Sequence, residues 1–148
     1  MATRDTFLRT LHDAGAAAWF GGSLMGAVGL NGAAADAHDP TERTRLSAEG
    51  WMRWAPVNAV AIGAHLIGGA GLLWANKGRQ AAQRGVGGNT VAKSAVTATA
   101  LGLSAYGAVL GAKIAKAGNQ APAEGATESN ESTPDDIAAA QRQLKVIQ

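Results

Sequence analysis

At 148 residues the chain has room for one compact domain or a few membrane helices, and not for both at full size. A formal charge of only +2, with no basic cluster, excludes the positive face that nucleic-acid binding requires, so no nucleic-acid partner is expected. Cysteine is absent, which excludes a disulfide framework, a thiolate nucleophile and a Cys-ligated metal.

Mean hydropathy is −0.02, an average that conceals blocks of opposite character. Three windows, 14–35, 55–76 and 94–112, carry no charged residue. A soluble helix shows charge every turn or so on its wet face, and these windows offer none. As a helix each is about 30 Å long, the thickness of a bilayer's hydrocarbon core. The predicted fold is therefore all-α: a transmembrane helical bundle of three spans with a short amphipathic loop helix and a C-terminal tail helix. The transmembrane domain takes 14–116, after an interfacial segment over 1–13. A disordered acidic linker over 117–133 and an amphipathic tail helix over 134–148 follow it.

In chain order, the opening segment puts Phe7, Leu8 and Leu11 on one helical face among Arg4, Asp5, Arg9 and Asp13, which suits a short surface helix. A cleaved signal peptide is the competing reading. Against it, the apolar run exceeds the ~7–15 residues of a signal core and carries Asn31 and several glycines. Span one holds Gly22 and Gly26 four apart, a flat stripe along which another helix can approach closely. In the first loop Asp39 is the expected N-cap, Pro40 the first helical residue and Glu42 the partner in a capping box. That loop helix is expected to stop at Gly50. Trp51 and Trp54 at one end of span two, and Trp74 at the other, are the expected interfacial anchors, because indole rings favour the headgroup zone.

Within span two, Asn58 and His65 lie two turns apart on one face, which should turn into the bundle. His65 is the candidate cofactor ligand, as an axial haem ligand or proton relay. The structural alternative is a hydrogen bond to a hydroxyl such as Ser23 or Ser104. A bis-histidine haem site needs a second membrane histidine, and His12 and His38 lie at or beyond span ends, so no cofactor is predicted. Gly63 and Gly68 thin the same helix for packing. Asp36, His38 and Asp39 fall within four residues on one loop and read as a polar N-cap region, so no metal is predicted.

The second loop, 77–93, carries Lys77, Arg79, Arg84 and Lys93 with no acid, and a bend is expected at Gly85, Gly87 and Gly88. Arg4 and Arg9 join these four on one side, against Arg43, Arg45, Arg53, Lys113 and Lys116 on the other. The bias favours a multi-pass protein of a bacterial cell membrane with a cytoplasmic N-terminus and 77–93 loop. Span three holds Gly107 and Gly111 and is closed by Lys113 and Lys116, which reach back to the interface. In the tail, Ser132 or Thr133 is the expected N-cap before Pro134. Ile137, Ala140, Leu144 and Ile147 then share a face that would dock on a partner or the membrane surface, or lead toward a fourth span.

The segments HDAGAAAWFGGSLMGA and APVNAVAIGAHLIGGAGLLW, set in a run of Gly- and Ala-rich spans over residues 10–112, resemble small multi-pass membrane proteins of actinobacterial type. That group carries no assigned activity, so the resemblance implies a membrane bundle and no mechanism.

The spans contain only Asn31, Asn58, His65, Asn76 and scattered hydroxyls as polar groups. No catalytic residue is predicted, and the absence of intramembrane Asp, Glu, Lys or Arg argues against an ion-coupled transporter as well as an enzyme. The expected function is that of a structural or accessory integral membrane protein. It would pack through Gly22, Gly26, Gly63, Gly68, Gly107 and Gly111 against lipid, other membrane subunits or itself. The alternative is an oligomeric pore or holin-like channel; a third reading is haem or quinone binding through His65.

Overall fold

The structure, a computed structural model, describes residues 2–78 and 86–148. The expected loop residues 79–85, with Arg79 and Arg84, lie outside them. The described chain is helical almost throughout: α1 (Ala2–Met25), a π turn (Gly26–Leu30), α2 (Asn31–Ala35), α3 (Pro40–Ala75), α4 (Val86–Ala117), a 3-10 turn (Gly118–Gln120) and α5 (Asp135–Ile147).

Two helices, Pro40–Ala75 and Gly87–Ala117, are long and apolar enough to cross a membrane. Residues 14–35, expected as the first span, are shared among α1, the π turn and α2. The expected loop helix and span two are a single helix of 36 residues, about 54 Å long. A glycine ends a helix by taking a left-handed conformation, and Gly50 takes none. It stays helical, and the Leu30 methyl groups sit where a Cβ would be, 2.5 Å from that position. The helix also continues through Pro56, whose ring nitrogen has no hydrogen to donate. Asp39 does cap the start: its carboxylate accepts from the Thr41 amide at 2.8 Å. Those bonds from the Thr41 amide and hydroxyl hold the Asp39 carboxyl below its ordinary value. Glu42, expected to complete a capping box, instead pairs with Arg45 at 3.3 Å.

Helix α4 begins eight residues before Ser94, so Gly87 and Gly88 are helical and do not form the expected bend. It ends where Gly118 turns left-handed at φ 52°, a conformation that a Cβ would oppose.

The described residues divide into two units. The first comprises Met1–Phe20 and Val57–Gly102, the second Gly21–Pro56 and Leu103–Gln148. In the first, α1 and α3 meet at a glycine-lined crossing. The second is built on the aliphatic cluster of Leu110, Ile114, Ala121, Ile137, Ala140 and Leu144, with Ala117 and Ile147 packed against it.

The segment 117–133, expected as a disordered linker, is folded into the second unit. Its composition is polar, but Ala121, Ala123 and Ala126 are buried. Backbone groups that disorder would leave to water are taken up by the start of α3. The Thr44 hydroxyl donates to the Ala121 carbonyl at 2.9 Å, and the Ala123 amide donates to the Pro40 carbonyl at 3.2 Å. Arg43 reaches the Glu124 carboxylate at 3.2 Å, and a single bridge pairs Ala123 with Ser129. The Thr133 hydroxyl faces this loop, donating to the Pro122 carbonyl, and Pro134 stands at the N-cap of α5 in place of the expected Ser132 or Thr133. Helix α5, expected to seek a partner or a bilayer, lies along α4 of its own chain.

Candidate functional site

The most constrained polar group of the first unit is His65. It is buried, as its place on the inward face of α3 requires, and His12 of α1 stacks on it with ring centroids 4.0 Å apart and planes at 20°. The two rings exchange equivalent bonds: His12 Nδ1 meets the His65 carbonyl at 3.0 Å, and His65 Nδ1 meets the His12 carbonyl at 3.1 Å. A carbonyl only accepts, so each Nδ1 carries a proton and donates. In the neutral ring Nε2 is then the acceptor, and His65 Nε2 lies 3.3 Å from the Thr97 hydroxyl of α4. The Trp19 indole closes another side edge-on, its centroid 6.0 Å from that of His65. The expected hydroxyl partners Ser23 and Ser104 are not the ones found.

Two glycines permit this stack. A Cβ on Gly15 would stand 2.5 Å from the His65 amide nitrogen and 2.6 Å from the Ala61 carbonyl. A Cβ on Gly68 would stand 2.5 Å from the His12 nitrogen and 2.6 Å from the Leu8 carbonyl. Each glycine follows its histidine by three residues, so the same short pattern, His-x-x-Gly, meets itself across the crossing. Gly68 was among the expected packing residues; Gly15 and His12 were not. The repeat of that pattern at 12–15 and 65–68 is the sequence signal that could have found them.

The other expected residues divide by what fills the space beside them. The atoms nearest the Cβ positions of Gly22 and Gly26 are those of indole rings, of Trp54 and Trp51 respectively. Trp51 and Trp54 are therefore half-buried packing residues. Trp74 is 75% exposed, with the Lys77 ammonium 4.8 Å over its ring. Gly107 lies at ordinary distance from Ile147 and Leu144 of α5, and among the described residues nothing lies within 4 Å of the Cβ positions of Gly63 and Gly111. Asn58 turns inward with His65, and its buried Oδ1 has no hydrogen-bond partner among the described residues.

A second polar cluster, absent from the sequence reading, centres on Asn31 in the second unit. The π turn inserts an extra residue into the helical register, seen in the Asn31 amide bonding back to the Gly26 carbonyl five residues earlier. The side chain of Asn31 thereby faces α3. Its Oδ1 accepts from the Ser47 hydroxyl and the Trp51 indole N–H, both at 2.9 Å, while its Nδ2 donates to the Gln148 side chain at 2.9 Å. Beside it lies an open, mainly apolar depression of about 290 Å³ between Leu30, Ala33, Leu46 and Arg53.

The surroundings of His65 do not suit a haem ligand. Axial haem ligation through His65 requires the ring edge to face a porphyrin, and His12, Thr97 and Trp19 occupy three sides of it. The described residues contain no group of three or more His, Asp or Glu side chains able to hold a metal ion. Compared with known protein families, curated proteins and solved structures, the chain matches none.

Proposed function

We propose that the chain is an integral membrane protein of structural or accessory type, packing through small-residue helix faces against other membrane subunits or against itself. One observation carries the reading. Only 17% of the apolar window of α3 and 6% of that of α4 is buried, whereas the central helix of a soluble protein would be mostly covered. Val60, Ile67, Val91, Val96 and Val109 are each more than 60% exposed, so a surface of this kind needs lipid or protein over it. Gly63, Gly102 and Gly111 have no neighbour within 4 Å of their Cβ positions, leaving room for the close approach of a further helix.

On this reading α3 and α4 cross a bacterial cell membrane and residues 14–35 supply a third crossing. The N-terminus and the 77–93 loop lie on the cytoplasmic side, as the distribution of basic residues favours. The resemblance to small actinobacterial multi-pass membrane proteins accords with it. No catalytic or cofactor role is proposed.

Extraction of native membranes with alkaline carbonate is the first test: the protein should stay in the pellet and leave it only with detergent. Gentle detergent and a tag at the N-terminal end then report its companions; the C-terminal end is avoided because Asn31 engages Gln148. A stoichiometric membrane partner is the expected result. Self-association alone would transfer the weight to an oligomeric pore, to be checked by dye leakage from liposomes. Release by carbonate would overturn the membrane reading.

A further inference from the structure

We propose that α5 is a latch on α4, and that its docking and full membrane insertion of the 94–112 window exclude one another. The proposal rests on the membrane reading above and goes beyond it to a conformational device.

The contact is extensive. Ile137, Ala140, Leu144 and Ile147 of α5 meet Leu110, Ile114 and Ala117 of α4. At one end the Lys113 ammonium pairs with the Asp136 carboxylate at 3.1 Å and donates to the Asp136 carbonyl at 3.0 Å. At the other end the Tyr106 hydroxyl donates to the Gln143 side chain, and the Gly107 Cβ position lies 3.5 Å from Ile147. The two helices are therefore antiparallel, and α5 runs beside Tyr106–Ala117.

The C-terminal part of the charge-free window, from Tyr106 to Ala112, lies under α5. Helix α5 is amphipathic, and its polar side carries Arg142 and Lys145, both exposed. With α5 docked, Arg142 and Lys145 travel beside Tyr106 and Gly107. If the window entered hydrocarbon as far as Ala112, these two cations would enter with it, and lipid gives them no hydration. Undocked, α5 leaves behind on that stretch of α4 only small and apolar side chains and the amphipathic Tyr106, which a bilayer accepts. The docked state accordingly holds Tyr106–Ala112 at or above the headgroups with α4 inserted only in part, and the released state lets the stretch sink and completes the crossing of α4.

The latch is also tied at a distance from α4. Lys145 pairs with Glu128 at 3.2 Å, and the buried Gln141 amide faces the Gly125 and Ala126 carbonyls at 3.4 Å. Release of α5 therefore removes these ties on the 121–129 loop and leaves it held by Thr44 and Arg43 at the start of α3.

The test uses the absence of native cysteine. Single cysteines replace Val96 or Val109, which are 70% and 66% exposed and so lie outside the latch contact, and each carries an environment-sensitive fluorophore. The full chain is reconstituted into phosphatidylcholine–phosphatidylglycerol vesicles containing nitroxide-labelled lipid. Val96→Cys should be quenched in every background. Val109→Cys should be weakly quenched in the otherwise wild-type chain and at least threefold more strongly in Ile137→Asp/Leu144→Asp. Lys113→Gln, which keeps the aliphatic cluster intact, should give a smaller rise of the same sign and guards against misfolding of the double variant. Equal quenching at Val109→Cys in all three backgrounds, with Val96→Cys quenched, overturns the latch and leaves the membrane reading standing. No quenching at Val96→Cys overturns both.

Discussion

The two units of this chain are closed in opposite ways. In the first, α1 and α3 approach because side chains are missing: Gly15 and Gly68 bring backbone against backbone, and His12 and His65 stack in the space that results. In the second, elements are held by side chains that are present. An aliphatic cluster joins α4 to α5, and ion pairs such as Arg43–Glu124, Lys113–Asp136 and Lys145–Glu128 surround it. Closure by missing atoms needs no hydrophobic drive and works in lipid as well as in water, whereas exposed ion pairs require an aqueous rim. The contrast shows why so much Gly and Ala can still specify a structure: close approach is itself a specific contact when any added atom would be refused.

The sharpest way to break the comparison is to add atoms where the first unit has none. Gly15→Val or Gly68→Val forces side-chain carbon into the His65 or His12 backbone, and rigid backbone cannot yield, so a loss of about 3 kcal/mol is expected. Gly63→Ala, on the same helix as Gly68 but facing open space, should instead gain up to about 1 kcal/mol through helix propensity. Thermal unfolding in one detergent, followed by circular dichroism, checks both. Equal effects at positions 63 and 68 would mean that the crossing is not closed as described.

In the second unit the matching change removes atoms. Leu144→Ala takes a 6% exposed side chain out of the aliphatic cluster and should cost about 2 to 3 kcal/mol. Because α5 is short and attached by its face, the loss should appear as faster amide exchange across 135–147 with little change in the first unit. Global acceleration of exchange would show that the two units share one cooperative transition.

These cases also show what was legible beforehand. The face of α5 that meets α4, Ile137, Ala140, Leu144 and Ile147, was readable because helical periodicity depends on neighbours in sequence, whereas the burial of Ala138 and Gln141 was not. The start of α3 at Pro40 was readable for the same reason. Gly50 was misread because glycine in isolation resembles a stop, and only Leu30, distant in sequence, decides otherwise. Polar composition made 117–133 look disordered, while the donors that order it, Arg43 and Thr44, lie about 80 residues earlier. The His12–His65 stack joins residues 53 apart, so a reading that placed His12 beyond a span end could not bring it to His65. The seating of the Trp54 and Trp51 indoles on Gly22 and Gly26 was not readable, because the partners lie far apart in sequence.

A smaller effect tests the polar side of the contrast. Asn31→Ala removes the acceptor shared by Ser47 and the Trp51 indole, both in partly buried surroundings, and a loss of about 2 kcal/mol is expected. Asn31→Asp should restore much of it, since a carboxylate still accepts from both donors, although it has no hydrogen for Gln148. Tryptophan emission read alongside unfolding would report the freed indole. If alanine and aspartate were equally harmful, Asn31 would matter for its shape and not for its acceptor.

The weakest expected effect concerns acid. Partial burial alone would raise the Glu128 carboxyl, but the Lys145 ammonium and the Thr127 hydroxyl and amide outweigh it and hold the group below its ordinary 4.5. A depressed carboxyl stabilises the folded state fully above the unfolded value and loses that contribution as pH falls through the folded one. Tethering of α5 should therefore be constant at neutral pH and slacken only below about pH 4.5. Glu128 and Lys145 are 45% and 63% exposed, so screening limits the effect to well under about 1 kcal/mol. Amide exchange within α5, measured at pH 6 and near pH 3.5 and corrected for intrinsic rates, should show the slackening in wild type and lose it in Glu128→Gln. Asp39 has the same sign but sits at the start of α3, so whatever acid response survives in Glu128→Gln should appear at residues 40–44 and not in α5. Undiminished slackening of α5 in Glu128→Gln would show that the Glu128–Lys145 pair is not what tethers α5 in acid.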